Sequence, residues 1–241
     1  MEKIDAIKTF RRFYNALGCQ GLASLKTKER HEKELRDLKK ILGKRSTILD
    51  AGCGYGRIAI PLAKAGYKVY GLDIVPAYIK EAIKKTKKEK IQADFRVGSI
   101  TALPYPNETF DAIICLWSVF IDILEEKDQL KAIKEIYRVL KNNSFAFIDL
   151  PRGSTDRGNY HFINKKKGIA IYSLPNMPQL KPRLVYVYNK KHIRTLMKKA
   201  KIKKFKISEE PFGGRKRLIV KFWKENKTNK AINKKIDKKK R

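Results

Sequence analysis

Acidic residues, cysteine and histidine are all scarce in this chain. Among 241 residues there are 24 Asp and Glu against 57 Lys and Arg, three Cys and three His. Cys19, Cys53 and Cys115 stand apart, with no CxxC pair and no histidine cluster. That excludes a disulfide framework or a zinc site as the organising device, and all three read as small apolar residues. No apolar run is long enough to cross a bilayer, and Met1 to Thr9 carries no apolar signal region, so the expectation is a soluble, cytoplasmic protein with no membrane partner. Internal repeats are also missing.

With 42% hydrophobic residues, a chain of this length can bury one sizeable core. The formal net charge of +33 invites a phosphate backbone as partner. The excess is mostly lysine spread through every segment, and lysine enrichment also fits a thermophile's proteome. Arginine would argue more strongly for shaped phosphate recognition. RNA therefore enters as a partner that the basic surface and the carboxyl-terminal tail would allow.

The organising stretch is Ser46 to Arg57, STILDAGCGYGR. Thr47, Ile48 and Leu49, closed by Asp50, suit a buried parallel strand that runs directly into Gly52, Gly54 and Gly56. Ile58, Ala59, Leu62 and Ala63 then recur at helical spacing, which predicts a helix from about Tyr55 to Lys64. Glycines allow the sharp turn and a close ligand, and the free N–H groups at a helix start face that ligand. A dinucleotide fingerprint would require glycine or alanine where Arg57 stands. A second strand, Lys68 to Asp73, ends in an acid whose carboxylate can accept from both hydroxyls of a ribose.

Strand, glycine turn, helix and acid-ended strand together resemble the first motifs of class I S-adenosylmethionine-dependent methyltransferases, most clearly over Lys44 to Leu150. The resemblance implies an α/β, Rossmann-like, doubly wound sheet of seven mostly parallel strands with an antiparallel carboxyl-terminal edge hairpin. It implies S-adenosyl-L-methionine as cofactor. Gly52, Gly54 and Gly56 would shape its turn, Asp50 would support the turn and the methionine amine, and Asp73 would hold the ribose. Ser99 and Ile100 would meet the adenine, and Ile74 and Leu116 complete the set. Many family members carry Asp where Ser99 stands, and an uncharged hydroxyl contributes less.

The flanks read as follows. Residues 1–43 form a helical cap, broken at Gly18 and Gly21, and 44–223 form the methyltransferase domain. A helix from Pro76 to about Lys88 presents a basic outer face. Strands are expected near Ile91 to Ile100, from Phe110 to about Leu116, and through SFAFIDLP. A helix carrying Leu130, Ile133, Ile136, Tyr137 and Leu140 separates the last two. Residues 152–188 read as an insertion over the acceptor, polar at first, then two strands, GIAIYSLP and RLVYVYN, around a proline-rich loop. A helix from Lys190 to Ala200 and strands Lys203 to Ser208 and Arg217 to Trp223 follow, with a lysine-rich tail at 224–241 read as disordered.

No general base is legible. Tyr14, Asp122, Tyr160 and His161 are candidates, Arg152 and Arg157 are candidates for gripping an acceptor, and Trp117 and Ser118 border the expected methyl position. CLWS lacks the polar run used by amino-methylating enzymes that act on bases. Cys115 sits inside an apolar strand, where a thiol stays protonated and shielded. Two other readings stand beside methyl transfer. One is a non-catalytic RNA-binding protein that retains the fold. The other is an aminopropyltransferase, whose paired acids are absent from Trp117 to Phe120.

Overall fold

The computed structural model describes residues 6–117, 119–152, 159–174 and 176–226. Its centre is a seven-stranded sheet in the order β3-β2-β1-β4-β5-β10-β9. Strand β1 is Thr47–Ala51, β2 Lys68–Asp73, β3 Asp94–Val97, β4 Phe110–Cys115 and β5 Leu140–Leu150. These five pair in parallel, whereas β10 (Arg215–Trp223) runs antiparallel to both β5 and β9 (Phe205–Phe212). The β9–β10 hairpin turns through Gly213 and Gly214, both at positive φ.

Helices cover both faces. The alternation of side chains along each strand assigns neighbours to opposite cores. Ile48, Ile114, Phe147 and Ile219 face one core with α2 (Lys28–Ile41), α3 (Ala59–Lys64) and α4 (Pro76–Lys88). Leu49, Ile113, Ile148 and Val220 face the other with α5 (Glu126–Val139) and α6 (Lys190–Lys199). Each such side chain contributes about 1.5–3 kcal/mol on leaving water, so the two faces hold the sheet rigid beneath the site. Helix α1 (Ala6–Ser24), kinked where Gly18 takes φ 62°, lies above the carboxyl ends of the strands. Among the described residues no helix is long and apolar enough to cross a membrane.

Several boundaries differ from the sequence expectations. Helix α3 starts at Ala59 and not near Tyr55, because Gly54 and Gly56 adopt φ of 54° and 81°, outside helical space. Leu140 opens β5 and does not close α5. The polar start of the insertion contains a strand, β6 (Asn159–Asn164), where none was expected. With β7 (Ile169–Ser173) and β8 (Arg183–Tyr186) it makes a separate three-stranded antiparallel sheet. Phe13 and Leu17 of α1 pack against Leu180 and Tyr172, so α1 and the small sheet form one cover. Ser118, Arg157 and most of the tail, residues 227–241, lie outside the described residues.

Candidate active site

Parallel sheets bind ligands beyond the carboxyl ends of their strands. A cavity of about 480 Å³ opens at that edge, floored by β1, β2 and β4 and roofed by α1 and the small sheet. At its floor the chain turns immediately after β1. Gly52 takes φ 88°, and a Cβ there would stand 2.2 Å from Val119 Cγ2. Only glycine passes under the short 3-10 turn Val119–Asp122. The Gly52 and Cys53 N–H groups both donate to the Leu72 carbonyl, at 2.7 and 3.0 Å, which locks the glycine turn to β2.

Asp73 ends β2 with its carboxylate already oriented. One oxygen accepts the Gly54 N–H at 2.8 Å and the other the Val75 N–H at 2.9 Å, and each keeps lone-pair capacity for a second donor. Burial raises its pKa, opposed by those N–H groups. Asp50 is more deeply placed, 3% exposed. Burial pushes its carboxyl up to about 7, with Arg57 and the Ala59 N–H pulling down and Asp73 pushing further up. Ser99 Oγ lies 2.8 Å from the Thr101 hydroxyl and accepts the Thr101 N–H at 3.2 Å, so a local turn fixes it. Ile74, Ile100 and Leu116 also line the cavity. Gly56 does not. Its role is in the turn, where its N–H donates to Cys53 and its carbonyl accepts the Ile60 N–H at 2.9 Å.

The acceptor candidates separate. Tyr14, Asp122 and Tyr160 line the cavity. His161 does not, since its neighbour Tyr160 on β6 takes the inward position and the His161 side chain is exposed. The Tyr14 hydroxyl donates to Asp122 Oδ2 at 3.3 Å and accepts from Arg183 Nη2 at 3.0 Å, and Arg183 pairs with Asp122. Burial raises the Tyr14 pKa, and Arg183 only partly offsets it. This phenol therefore keeps its proton at neutral pH. The triad joins α1, the turn after β4 and the small sheet into a single cover. Arg152 pairs with Glu209 at 2.9 Å and is not part of the cavity wall.

Sequence reading set Trp117 beside the expected methyl position, and it lines the cavity, but the charged corner built around it was missed. Trp117 takes φ 60°, a conformation uncommon for a bulky residue, at the end of β4. Its backbone N–H donates to Asp149 Oδ2 at 3.3 Å and its indole N–H to Glu34 Oε1 at 3.2 Å. Lys26 Nζ lies 3.4 Å from the ring centroid and the Arg57 guanidinium 4.8 Å. Glu34, fully buried on α2, pairs with Lys26, with Arg30 at 3.5 Å and with Arg57 at 2.6 Å. Burial pushes the Glu34 carboxyl up, but the Arg57 and Lys26 charges outweigh it and the net shift is downward. Arg183 was equally invisible. One signal was available for Glu34: it shares the buried stripe of α2 with Leu38, one turn away.

A doubly wound sheet of this order, with a glycine turn after its first strand and an acid ending its second, is the class I methyltransferase fold. Residues 48–143 of the 241 match the family model of a methyltransferase domain, in keeping with the class I S-adenosylmethionine-dependent methyltransferase family. A ubiquinone biosynthesis O-methyltransferase of Methylocella silvestris is 41% identical over 69 residues, 29% of this chain and 27% of that protein. The chain spans 27% to 41% of the length of these curated relatives. A Pyrococcus horikoshii crystal structure superposes with TM-score 0.69 at 21% identity, covering 90% of this chain and 98% of that one. The Burkholderia thailandensis 1,6-didemethyltoxoflavin-N1-methyltransferase, solved with its substrate and S-adenosylhomocysteine, gives 0.65 at 15% identity, covering 91% and 89%.

Proposed function

We propose that this chain transfers the methyl group of S-adenosylmethionine to an oxygen or nitrogen atom of a small acceptor. The observation that carries the reading is one continuous cavity. It runs from the glycine turn and Asp73, past Leu116 and Trp117, to a chamber roofed by Tyr14, Tyr160 and Arg183. Its 480 Å³ falls within the range of small-molecule sites, and its roof favours a small acceptor over a polymer. The names of the two relatives, an O- and an N1-methyltransferase, support oxygen or nitrogen as the accepting atom.

The residues fit the cofactor chemically. Asp73 has free lone pairs for two ribose hydroxyls, Asp50 is a buried carboxyl suited to an ammonium, and Ile100 and Leu116 supply apolar walls. The cofactor brings a methyl already activated on a sulfonium. The chain's contribution is then to align the acceptor and exclude water, and effects of this kind lower barriers by up to about 7–11 kcal/mol. Tyr14, Asp122 and Arg183 hold the roof over the acceptor chamber, and their mutual bonds fix its shape.

Calorimetric titration with S-adenosylmethionine and, separately, NAD tests the cofactor. Labelled-methyl transfer to a panel of phenols, amines and amino acids then tests the acceptor. Micromolar binding of the former alone is expected. Binding of NAD alone, or of neither, overturns the proposal.

A further inference from the structure

Four arginines and Lys26 gather where the start of α2, the Trp117 corner and the start of β10 converge, around the carboxylates of Glu34 and Asp149. Lys26, Arg30 and Arg57 crowd onto Glu34. Arg217 pairs with Asp149, its Nε 2.5 Å from Oδ1, and the Trp117 N–H leans on the same carboxylate. Arg215, exposed at the first position of β10, makes no ion pair among the described residues. Arg30 Nε is buried without a hydrogen-bond acceptor, 3.5 Å from the nearest Glu34 oxygen. Arg30, Arg57, Arg215 and Arg217 all line the cavity. Arg215 and Arg217 open β10, and Arg30 from α2 and Arg57 from the turn after β1 reach Trp117 just past β4, whereas Asp73 ends β2 and Ser99 follows β3.

We propose that this arginine-walled end of the cavity binds an oxyanion, a carboxylate or phosphate group, carried by the methyl acceptor. The inference rests on the methyl-transfer reading and names its substrate class. A guanidinium presents a planar fork of donors that matches either oxyanion, and it cannot shed its charge when buried. With burial holding the Lys26 amine uncharged at neutral pH, two carboxylates face four guanidiniums in a half-buried pocket. A third anion supplies the missing acceptor for Arg30 Nε and the missing partner for Arg215. The charge balance of the cluster agrees. Burial and then the Arg57 charge push the Lys26 amine down to about 5, despite Glu34. Burial and then the Arg215 charge lower Arg30.

The test uses the full chain saturated with S-adenosylhomocysteine and titrated calorimetrically with benzoate and with inorganic phosphate, in about 0.15 M salt to screen the general surface charge. At least one probe should bind saturably, and its identity tells carboxylate from phosphate. Arg30→Gln and Arg215→Gln should each weaken that probe about tenfold or more, whereas Lys84→Gln, on the exposed face of α4, should not. Arg215 is exposed, so its variant folds even if the Arg30 variant does not. Three outcomes overturn the proposal: no saturable binding of either probe, equal weakening by Lys84→Gln, or lost S-adenosylhomocysteine affinity in the arginine variants. The last would make the cluster a seat for the cofactor's own carboxylate. A wild-type protein that binds no S-adenosylhomocysteine sinks the methyl-transfer reading itself, and anion titration of the free protein then still reports on the cluster.

Discussion

Asp50 offers a sharp test, because burial carries its carboxyl to about 7 while an aspartate in an unfolded chain titrates near 3.9. A carboxyl whose folded pKa is raised keeps its proton in the fold after the unfolded chain has released it. Stability is therefore lost as pH climbs from about 4 to about 7, and is level above that. Between pH 5 and 7 the loss is two units, about 3 kcal/mol. For a domain of this size that corresponds to about 6–12 °C in melting temperature. Asp50→Asn removes the titration. Any cost of the amide itself is independent of pH, so it cancels when variant and wild type are compared at pH 5 and pH 8. The variant should gain several degrees on wild type between those two values, read by thermal melts. Identical differences at both would refute the burial argument. If Asp50 also holds the methionine ammonium, S-adenosylhomocysteine affinity should fall about tenfold per unit below pH 7, and this dependence should vanish in Asp50→Asn.

Three further perturbations address the rest of the cavity. Asp73→Ala deletes a charged acceptor for the ribose, worth about 1.5–3 kcal/mol, so calorimetry should show S-adenosylmethionine binding weakened at least tenfold; unchanged affinity would dismiss the ribose assignment. Glu34→Ala leaves Arg57 and Arg30 buried without their carboxylate at a cost of about 3–5 kcal/mol, and the melting temperature should drop by about 10 °C; a cost under about 1 kcal/mol would show the cluster to be solvated. Tyr14→Phe keeps the ring and the Asp122–Arg183 pair while removing one hydroxyl. It should leave methyl transfer within about tenfold of wild type, and a loss beyond a hundredfold would return Tyr14 to proton transfer.

The parts of this molecule that could be read from sequence are those that local chemistry dictates. Thr47 to Asp73 announces itself because an apolar strand, three glycines and an acid-ended strand follow one another within 27 residues, and each signal is internal to its segment. Strand β6 was hidden because only pairing defines it. Its residues are largely polar or exposed, and its hydrogen bonds come from β7 through registers such as Tyr160 with Tyr172. The start of α3 was misjudged for a related reason, since helical spacing ignores φ and two glycines had already taken values no helix allows. Glu34 and Arg183 read as ordinary surface charges on a lysine-rich chain. They are buried by partners that lie 23 residues away for Arg57 and 169 for Tyr14. No periodicity records such distances.

Where the fold tolerates buried charge is itself informative. Replacing a buried ion pair with apolar side chains of similar volume is often neutral or stabilising, so stability alone does not require such pairs. Both cores of this sheet are otherwise filled with aliphatic and aromatic side chains. Among the described residues its buried acids are Glu34, Asp50 and Asp149, and all three gather at the carboxyl edge of the strands, with Arg183 and Arg217 at the same edge. Trp117 adds a left-handed backbone at the same edge, held by Asp149 and Glu34. Most of the buried charge therefore lies along one rim, with Lys224 near the opposite end of the sheet as the exception. That distribution is expected of a surface shaped to meet charged groups of a ligand, with Asp50 suited to a cation and the arginines to an anion.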